Sequence, residues 1–285
     1  EDNDATNLAT ANALFGAEKI SGKLPVTASP VFRGGAGFTS DSIFRLKLST
    51  PEEAGLKTSD LKKMDDIIQK GIEGKAFPGC QLLVAKDGKV VWNKTYGSKL
   101  YELPSEKVAA TDLYDLASIT KVAATTLAVM KLYEQKKINL DKTVGDYLHL
   151  PKDATIKNLK LRDVLTHQAG LKAFFMFYKS TIDSSFERYY RKKADSLFSV
   201  RVADSLFIRK DYPDTMWSII NHSPVEEHPK YVYSDNDFYI LQKIVEQVSG
   251  KKLDEFVNEN LYKPMGLTPY TTLFESEERR VGKEC

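Results

Sequence analysis

The sequence has too few cysteines, and histidines too scattered, for a disulfide framework or a metal centre. It contains two cysteines, Cys80 and Cys285, and no C-x-x-C pair, which excludes a small fold held together by disulfides. No histidines stand at the spacing of metal ligands, and we expect packing or surface roles for all four of them: His149, His167, His222 and His228. The sequence therefore predicts neither a metal nor another cofactor.

An excess of one charge and long apolar runs are also missing. The 285-residue chain has a net charge of +2, with 42% hydrophobic and 28% charged residues, a composition typical of globular proteins. This balance gives no reason to expect nucleic acid as a partner. No apolar run approaches the roughly 18 residues of a membrane span, and the first residues lack the pattern of a signal peptide. The length suits one large domain or two modest ones.

The first part of the chain predicts a short helix, a linker, a second helix and a β-hairpin. Residues 5–16 favour a helix that ends at a glycine, and residues 29–42 have the glycine-rich composition of a linker. Thr58 or Ser59 would cap a helix whose apolar residues recur at helical spacing. Two strand-like runs then meet at Asp87–Gly88, a dipeptide typical of tight hairpins.

The remainder of the chain is mainly helical in pattern. We predict helices over 118–135, 161–171, 237–249 and 252–261. In the first of these, the expected apolar stripe consists of Ile119, Ala123, Leu127 and Met130. Residues 172–230 show no clean period. Their aromatic side chains would either line a pocket or form the core of a helical subdomain: Phe174, Phe175, Phe177, Tyr178, Tyr189 and Tyr190.

One short motif at the start of helix 118–135 contains the residue types of nucleophilic catalysis. The pattern S-x-x-K occurs three times, at Ser59–Lys62, Ser118–Lys121 and Ser249–Lys252, but only Ser118 follows a strand-like run and opens an apolar helix. A serine hydroxyl needs a base to become a good nucleophile, and residues three apart share a helix face. Burial lowers the pKa of a lysine amine towards the range of a useful base. On spacing alone, a helix-capping Ser118 beside a solvated Lys121 is an equally good interpretation.

A second motif, Tyr233–Ser234–Asp235, precedes the amphipathic helix 237–249. Together the two motifs resemble those of serine β-lactamases and penicillin-binding proteins, in the branch with class C β-lactamases, esterases and D-aminopeptidases. The resemblance implies that Ser118 is acylated, that Lys121 holds or receives its proton, and that Tyr233 passes the proton to the leaving group. Asp235 stands where many relatives have asparagine, and its charge would keep Lys121 protonated and shift more of the base role to Tyr233. Taken singly, a strand-end tyrosine and a helix-capping aspartate remain open interpretations.

Several segments resemble this family in the expected order, so that the resemblance extends over residues 48–275. They are the hairpin 77–97, the approach to the nucleophile 112–121, the turn 161–171 and the segment 261–267. The resemblance implies an α+β, β-lactamase/transpeptidase-like fold, with an antiparallel sheet, flanking helices and a helical subdomain. Within it, His167 would be a structural turn residue without a catalytic role.

The third sequence element of this family is not found. It consists of Lys or His, a small residue and Gly, and no such triplet occurs from Tyr233 onward. In relatives it lies further downstream on a central strand, so we expect this sequence to be a piece that lacks the C-terminal strands. A hairpin without its neighbouring strands has an unpaired edge. We therefore expect the 285-residue chain alone to be inactive and poorly folded.

The two ends of the sequence resemble sequences from outside the β-lactamase and penicillin-binding protein family. The run from Leu14 to Thr27, with its SGKLPVT stretch, resembles the end of the second domain of glycoside hydrolase family 3. We expect residues 1–47 to be that tail and a linker, behind a glycosidase domain in the parent protein. Ser276–Cys285 resembles a translated sequencing adapter, so that residues 276–285 would be non-native; a charged native terminus is the alternative.

The leading hypothesis is a serine hydrolase that forms an acyl-enzyme on an amide or ester of the D-amino acid peptide, ester or β-lactam type. The resemblance implies a small-molecule or peptidoglycan-derived substrate and a periplasmic or secreted parent. Two other functions remain open. One is a glycosidase of the β-glucosidase or β-N-acetylhexosaminidase type, whose carboxylates would lie upstream of this sequence, and the other is a non-catalytic module that binds peptidoglycan.

Overall fold

The computed structural model describes residues 4–14, 16–40, 46–102, 104–182, 186–203, 205–227 and 230–267. The predictions that concern His228, Cys285 and the tail 276–285 lie outside these ranges. The chain forms two compact units, residues 1–112 and 113–285. None of the helices in the described ranges is long and apolar enough to cross a membrane.

The first unit contains two helices and a small mixed sheet. Its elements are α1 (Asp4–Leu14), β1 (Lys47–Leu48), α2 (Thr58–Glu73), β2 (Gly79–Lys86) and β3 (Lys89–Gly97). The strands lie in the order β1-β3-β2, with β2 antiparallel and β1 parallel to β3. The predicted hairpin is confirmed. Asp87 and Gly88 join its strands with φ values of 51° and 75°, as a two-residue turn of the I′ type requires.

Helix α2 packs its apolar face onto the hairpin, but its start differs from the prediction. Leu61 is buried in a small cluster with Ala54 and Val91. The N-cap is Lys57, without a side-chain capping bond, so the prediction of Thr58 or Ser59 as the cap is wrong. Thr58 is the first helical residue, and its N–H donates to a carboxylate oxygen of Glu52 at 2.9 Å. An acidic side chain from the preceding turn thus replaces the hydroxyl cap.

The second unit is mainly helical and includes a second small sheet. Its helices are α3 (Leu127–Glu134), α4 (Leu161–Leu165), α5 (Lys179–Ile182), α6 (Phe186–Tyr189), α7 (Tyr212–Asn221), α8 (Asp235–Ser249) and α9 (Leu253–Val257). Its strands are β4 (Tyr190–Arg191), β5 (Val200–Ala203) and β6 (Leu206–Ile208), antiparallel and in the order β4-β6-β5. The residue pattern of 172–230 did not predict this sheet, because strands of two to four residues are too short to show a period.

Helix α8 lies in the core of the second unit. Its predicted apolar face is confirmed, with Ile240, Leu241, Ile244 and Val245 fully buried. The face packs against other buried residues from α3, α4 and α9. Gly250 ends the helix at a φ of 71°, a left-handed conformation that glycine adopts without the steric cost of a side chain. Because this face is buried, the position and direction of α8, including its N-terminal end, are fixed.

Helix 118–135 is present, but it differs from its prediction in two respects. Residues 112–116 contain no strand, and the stripe Ile119, Ala123, Leu127 and Met130 is not the buried face: Ile119 and Met130 are more than half exposed. The buried face consists of Lys121, Ala124, Thr125, Ala128, Val129 and Leu132. Apolar residues occur almost all round this helix, so hydrophobicity alone did not select the buried side.

The aromatic residues of 172–230 divide between the core and the surface. Phe177 and Tyr190 belong to the buried cluster, and Phe175 and Tyr189 pack against it. Phe174, in contrast, is about half exposed. The hypothesis of a helical-subdomain core therefore holds for most of this set.

Candidate active site

Lys121 is a buried lysine that contacts a hydroxyl and a carboxylate. It begins a π-helical turn, Lys121–Thr126, that leads into α3; wide turns of this kind are frequent at functional sites. Its Nζ donates to Ser118 Oγ at 3.1 Å and forms an ion pair of 2.7 Å with Asp235 Oδ1. The side chain of Lys121 is only 5% exposed, and that of Asp235 is 38% exposed. The ammonium is thus shielded from water while its carboxylate partner reaches solvent.

Ser118 lies on a tight turn ahead of the helix. Ala117, directly before it, has a φ of 45°, a left-handed conformation that is costly for a residue with a Cβ. An N–H bond from Ala117 to Asp115 Oδ1, of 2.8 Å, supports this turn. Ser118 is exposed, and its carbonyl accepts the N–H of Lys121 at 3.0 Å. The hydroxyl is therefore accessible from solvent while its hydrogen-bond partner is buried.

Asp235 is the first residue of α8, where the free N–H groups of a helix favour a negative charge. The N-cap is Ser234, whose hydroxyl oxygen accepts the N–H of Asn236 at 3.2 Å. The interpretation of Asp235 as the cap is therefore wrong by one residue, and its carboxylate is available to Lys121. Residues 172 and 173 fix this helix end: the Lys172 carbonyl accepts from the Ser234 hydroxyl at 2.7 Å, and the Ala173 carbonyl accepts the Asp235 N–H at 2.8 Å.

Tyr233 lies beside Lys121. The ring centroid of Tyr233 is 5.4 Å from Lys121 Nζ, within the range of a cation–π contact. The ring also packs against His167, with 4.6 Å between the centroids, and is 44% exposed. Lys121 therefore contacts all three of the other predicted site residues.

His167 and Asp237 form a second polar group under this site. His167 has a φ of 58°, as expected for a turn residue, and its Nδ1 lies 2.8 Å from Asp237 Oδ2. The Asp237 side chain is 1% exposed, and burial raises its pKa to about 8. Burial lowers the pKa of His167, and the charge of Lys121 lowers it further. The distance is that of an ion pair, whereas both pKa shifts act against the charged forms of the two side chains.

Asp237 was not predicted from the sequence as a site residue, although its position in the helix indicates burial. It precedes Leu241 by four residues and Ile244 by seven, so it lies on the apolar stripe of α8, which the structure buries. An acid on such a stripe predicts a buried polar partner. The partner, His167, is 70 residues away in sequence, which is why spacing did not identify it.

Within the described ranges, no group of three or more His, Cys, Asp or Glu side chains is arranged to hold a metal ion. The side chains of Ser118, Lys121, Asp235 and Tyr233 supply a serine hydroxyl, an ammonium, a carboxylate and a phenol. This arrangement suits proton transfer to and from a nucleophilic oxygen.

Comparisons with known proteins identify the family of this chain. The sequence profile of the family described as Beta-lactamase matches residues 64–281. A protein of Escherichia coli O157:H7 with the provisional name D-alanyl-D-alanine carboxypeptidase is 35% identical over 235 residues, covering 77% of this chain and 49% of that protein. An N-acetylmuramyl-L-alanine amidase of Bacillus subtilis (strain 168) is 33% identical over 242 residues, covering 80% of this chain and 50% of its own length. The chain thus spans about half the length of these curated relatives.

Solved structures agree on the fold. The octameric penicillin-binding protein homologue from Pyrococcus abyssi matches with a TM-score of 0.56 and 21% identity, over 73% of this chain and 43% of that one. A class C β-lactamase solved in complex with cefoxitin matches with a TM-score of 0.55 and 17% identity, over 80% of this chain and 54% of that one. The expected β-lactamase/transpeptidase-like fold is confirmed, and the chain belongs to the β-lactamase family of serine hydrolases.

Proposed function

We propose that this chain supplies the nucleophile half of a serine hydrolase that acts through an acyl-enzyme on Ser118. The observation that supports this is the contact of 3.1 Å between the exposed Ser118 hydroxyl and the buried Lys121 ammonium. In the first step Oγ would bond to the substrate carbonyl carbon, while the bond from that carbon to the leaving amine or alcohol breaks. The Oγ proton would pass to the leaving group, and water would then release the acid and restore the hydroxyl.

The surroundings of Lys121 favour a cationic, orienting role for it. Its ion pair of 2.7 Å with Asp235 stabilises the ammonium, which therefore positions Ser118 and would stabilise negative charge on its oxygen. Under this proposal Tyr233, 5.4 Å from the ammonium, carries the proton between Ser118 and the leaving group. Asp235 is a supporting residue that keeps Lys121 charged.

The substrate we propose is a peptidoglycan-derived peptide that ends in a D-amino acid. The support for the D-amino acid end is the provisional name of one relative, a D-alanyl-D-alanine carboxypeptidase. A second relative, named N-acetylmuramyl-L-alanine amidase, supports a peptidoglycan-derived substrate but not that end. D-Amino acid esters and β-lactams carry the same type of acyl carbon and are the other substrates to try. Such a substrate would place the parent protein in the periplasm or outside the cell, and an upstream family 3 glycosidase domain would act on the same polymer.

Labelling with a fluorescent penicillin, together with hydrolysis of a D-alanyl-D-alanine peptide, tests the proposal in the longest gene product that contains this chain. Ser118→Ala should abolish the label and lower kcat/KM by about 10³-fold or more, as expected for a lost nucleophile. Ser59→Ala is the matched control, because Ser59 begins an S-x-x-K pattern on the exposed side of α2 and should leave both readouts unchanged.

Two other outcomes would each select a different function. Glycoside hydrolysis that survives Ser118→Ala, without peptidase activity, would assign the function to the upstream part. A folded protein that binds peptidoglycan but shows neither label nor hydrolysis would be a binding module.

A further inference from the structure

His167 contacts the segment before α8 through two accepting atoms. Its carbonyl oxygen accepts the N–H of Val232 at 3.0 Å, and its Nδ1 accepts the N–H of Ser234 at 3.1 Å. Tyr233 lies between these two residues, and its ring packs on the imidazole at a centroid distance of 4.6 Å. His167 therefore holds the backbone on both sides of Tyr233.

The contact with Ser234 indicates where the proton of the neighbouring contact lies. The Ser234 N–H can only donate, so it favours an Nδ1 without a hydrogen of its own, and because this nitrogen has a single lone pair, any second donor shares that lone pair in a three-centre bond. Since Asp237 Oδ2 is 2.8 Å from the same nitrogen, the hydrogen in that contact belongs to the carboxyl group. We propose that Asp237 is a protonated acid that donates to Nδ1 of His167, and that this neutral pair positions Tyr233.

The second oxygen of Asp237 supports this assignment. Oδ1 is buried and has no hydrogen-bond partner within the described residues. A carboxylate would leave half of a full charge on this oxygen, which is costly away from water, whereas the carbonyl of a neutral acid costs much less. Burial of the whole side chain acts in the same direction and raises the pKa of Asp237 to about 8.

The other ionisable groups around the pair also favour a neutral imidazole. Lys121 faces it from the π-helical turn, and its charge lowers the pKa of His167; Asp235, at the start of α8, opposes this more weakly. Tyr231 and Tyr233 contribute rings at 6.0 and 4.6 Å. An imidazolium here would lie in a buried site beside an ammonium, an arrangement that like-charge repulsion disfavours.

Nitrogen NMR on histidine-labelled protein tests the protonation state directly and without any substrate, in the longest gene product that contains this chain. Between about pH 5 and 7, where an ordinary histidine titrates, His167 should stay neutral, with hydrogen on Nε2 and none on Nδ1. Ring-to-ring NOEs between His167 and Tyr233 should be present. A hydrogen on Nδ1 at these pH values would overturn the proposal, because Asp237 would then be the acceptor.

Two substitutions test the pair independently of the spectra. Asp237→Asn keeps a donor towards Nδ1, whereas Asp237→Leu removes it. The unfolding midpoint and the NOEs should be retained in Asp237→Asn and lowered or lost in Asp237→Leu. If Asn destabilises the protein as much as Leu does, the acid is charged in the native protein and the proposal is wrong.

The pH dependence of stability provides a third readout. The folded pKa of Asp237, about 8, lies above the unfolded value of about 3.9, so the folded state binds the extra proton between these values. The unfolding midpoint of the wild type should therefore fall as pH rises from about 4 to 8 and level off above that, relative to Asp237→Asn. A midpoint that rises over this range relative to Asp237→Asn would contradict the proposal.

The link to catalysis rests on the proposed function, and its test is separate. In the parent enzyme, kcat should fall above about pH 8 as the donor loses its proton, and Asp237→Asn should remove that fall while Asp237→Leu lowers kcat at every pH. Loss of the label in Ser118→Ala alone tests the nucleophile. Failure of the NMR and stability results would disprove the pair while leaving Ser118 untouched, and an inactive parent with an intact pair would disprove the proposed function only.

Discussion

The two units of the chain differ in where they keep their polar groups. Among the described residues of 1–112, the ion pairs are at least partly exposed; Lys94 and Asp65, for example, are 41% and 30% exposed. In residues 113–285 a lysine, an acid and several amide and hydroxyl groups are buried. The buried apolar cluster is also much larger in the second unit. A unit must have a large core before it can bury charge, because each buried polar group has to be offset by apolar burial elsewhere.

The sequence offers a convenient way to compare the two units. It contains two tryptophans, Trp92 in the first unit and Trp217 in the second. The Trp217→Phe variant keeps Trp92, so its fluorescence reports unfolding of the first unit; we call it the Trp92 reporter. The Trp92→Phe variant keeps Trp217 and reports unfolding of the second unit; we call it the Trp217 reporter. Both variants are made in the longest gene product that contains this chain, with any further tryptophans replaced by Phe, and their urea unfolding is the background for the predictions that follow.

The largest difference is expected from substitutions in the two cores. Leu241, which is fully buried in the second unit, should cost about 3–5 kcal/mol when replaced by Ala, the upper part of the range for such changes. Leu61, in the smaller cluster of the first unit, should cost about 2–3 kcal/mol because fewer atoms surround it. The measurement is urea unfolding of Leu241→Ala in the Trp217 reporter and of Leu61→Ala in the Trp92 reporter. Equal costs in the two units would refute the contrast in core size.

A smaller but more informative effect is expected at the ion pair of Lys121 and Asp235. Asp235→Asn removes the carboxylate from the ion pair of a buried ammonium, and we expect a loss of about 1–3 kcal/mol. Lys121→Met leaves a carboxylate that is 38% exposed and can be hydrated, so its cost should be below about 1 kcal/mol. Urea unfolding with the Trp217 reporter measures both. A larger loss of unfolding free energy in Lys121→Met than in Asp235→Asn would contradict this prediction, because it would mean that the carboxylate needs the ammonium more than the ammonium needs the carboxylate.

Features that depend on neighbouring residues were predictable from the sequence, whereas features that depend on contacts between distant residues were not. The hairpin at Asp87–Gly88 and helix α8 were predictable because turn chemistry and apolar period are local. Ser118, Lys121, Tyr233 and Asp235 were proposed from motifs, and the structure brings Lys121 into contact with the other three. The buried side of helix 118–135 was predicted wrongly. The buried face includes Lys121, whose ion-pair partner Asp235 is far away in sequence. The contact of His167 with Asp237 was likewise not predictable from spacing.

The smallest expected effect is a contribution of Asp65 to the pH dependence of stability that is opposite in sign to the contribution of Asp237. Hydrogen bonds from Lys94 and Tyr96 lower the pKa of Asp65 below its usual value. A lowered acid pKa adds stability above the unfolded value, and that stability is lost as pH falls. With the Trp92 reporter, the midpoint should therefore decrease from about pH 5 to 3, and Asp65→Asn should reduce this decrease. Asp66→Asn, at the exposed neighbouring acid, is the control and should leave the slope unchanged. In the second unit the comparison is made relative to Asp237→Asn, because the lowered pKa of His167 acts on stability in the opposite direction to that of Asp237. The contribution of Asp65 to stability should rise with pH and that of Asp237 should fall. Contributions that rise with pH for both acids would show that the buried acid does not behave differently from the one at the surface.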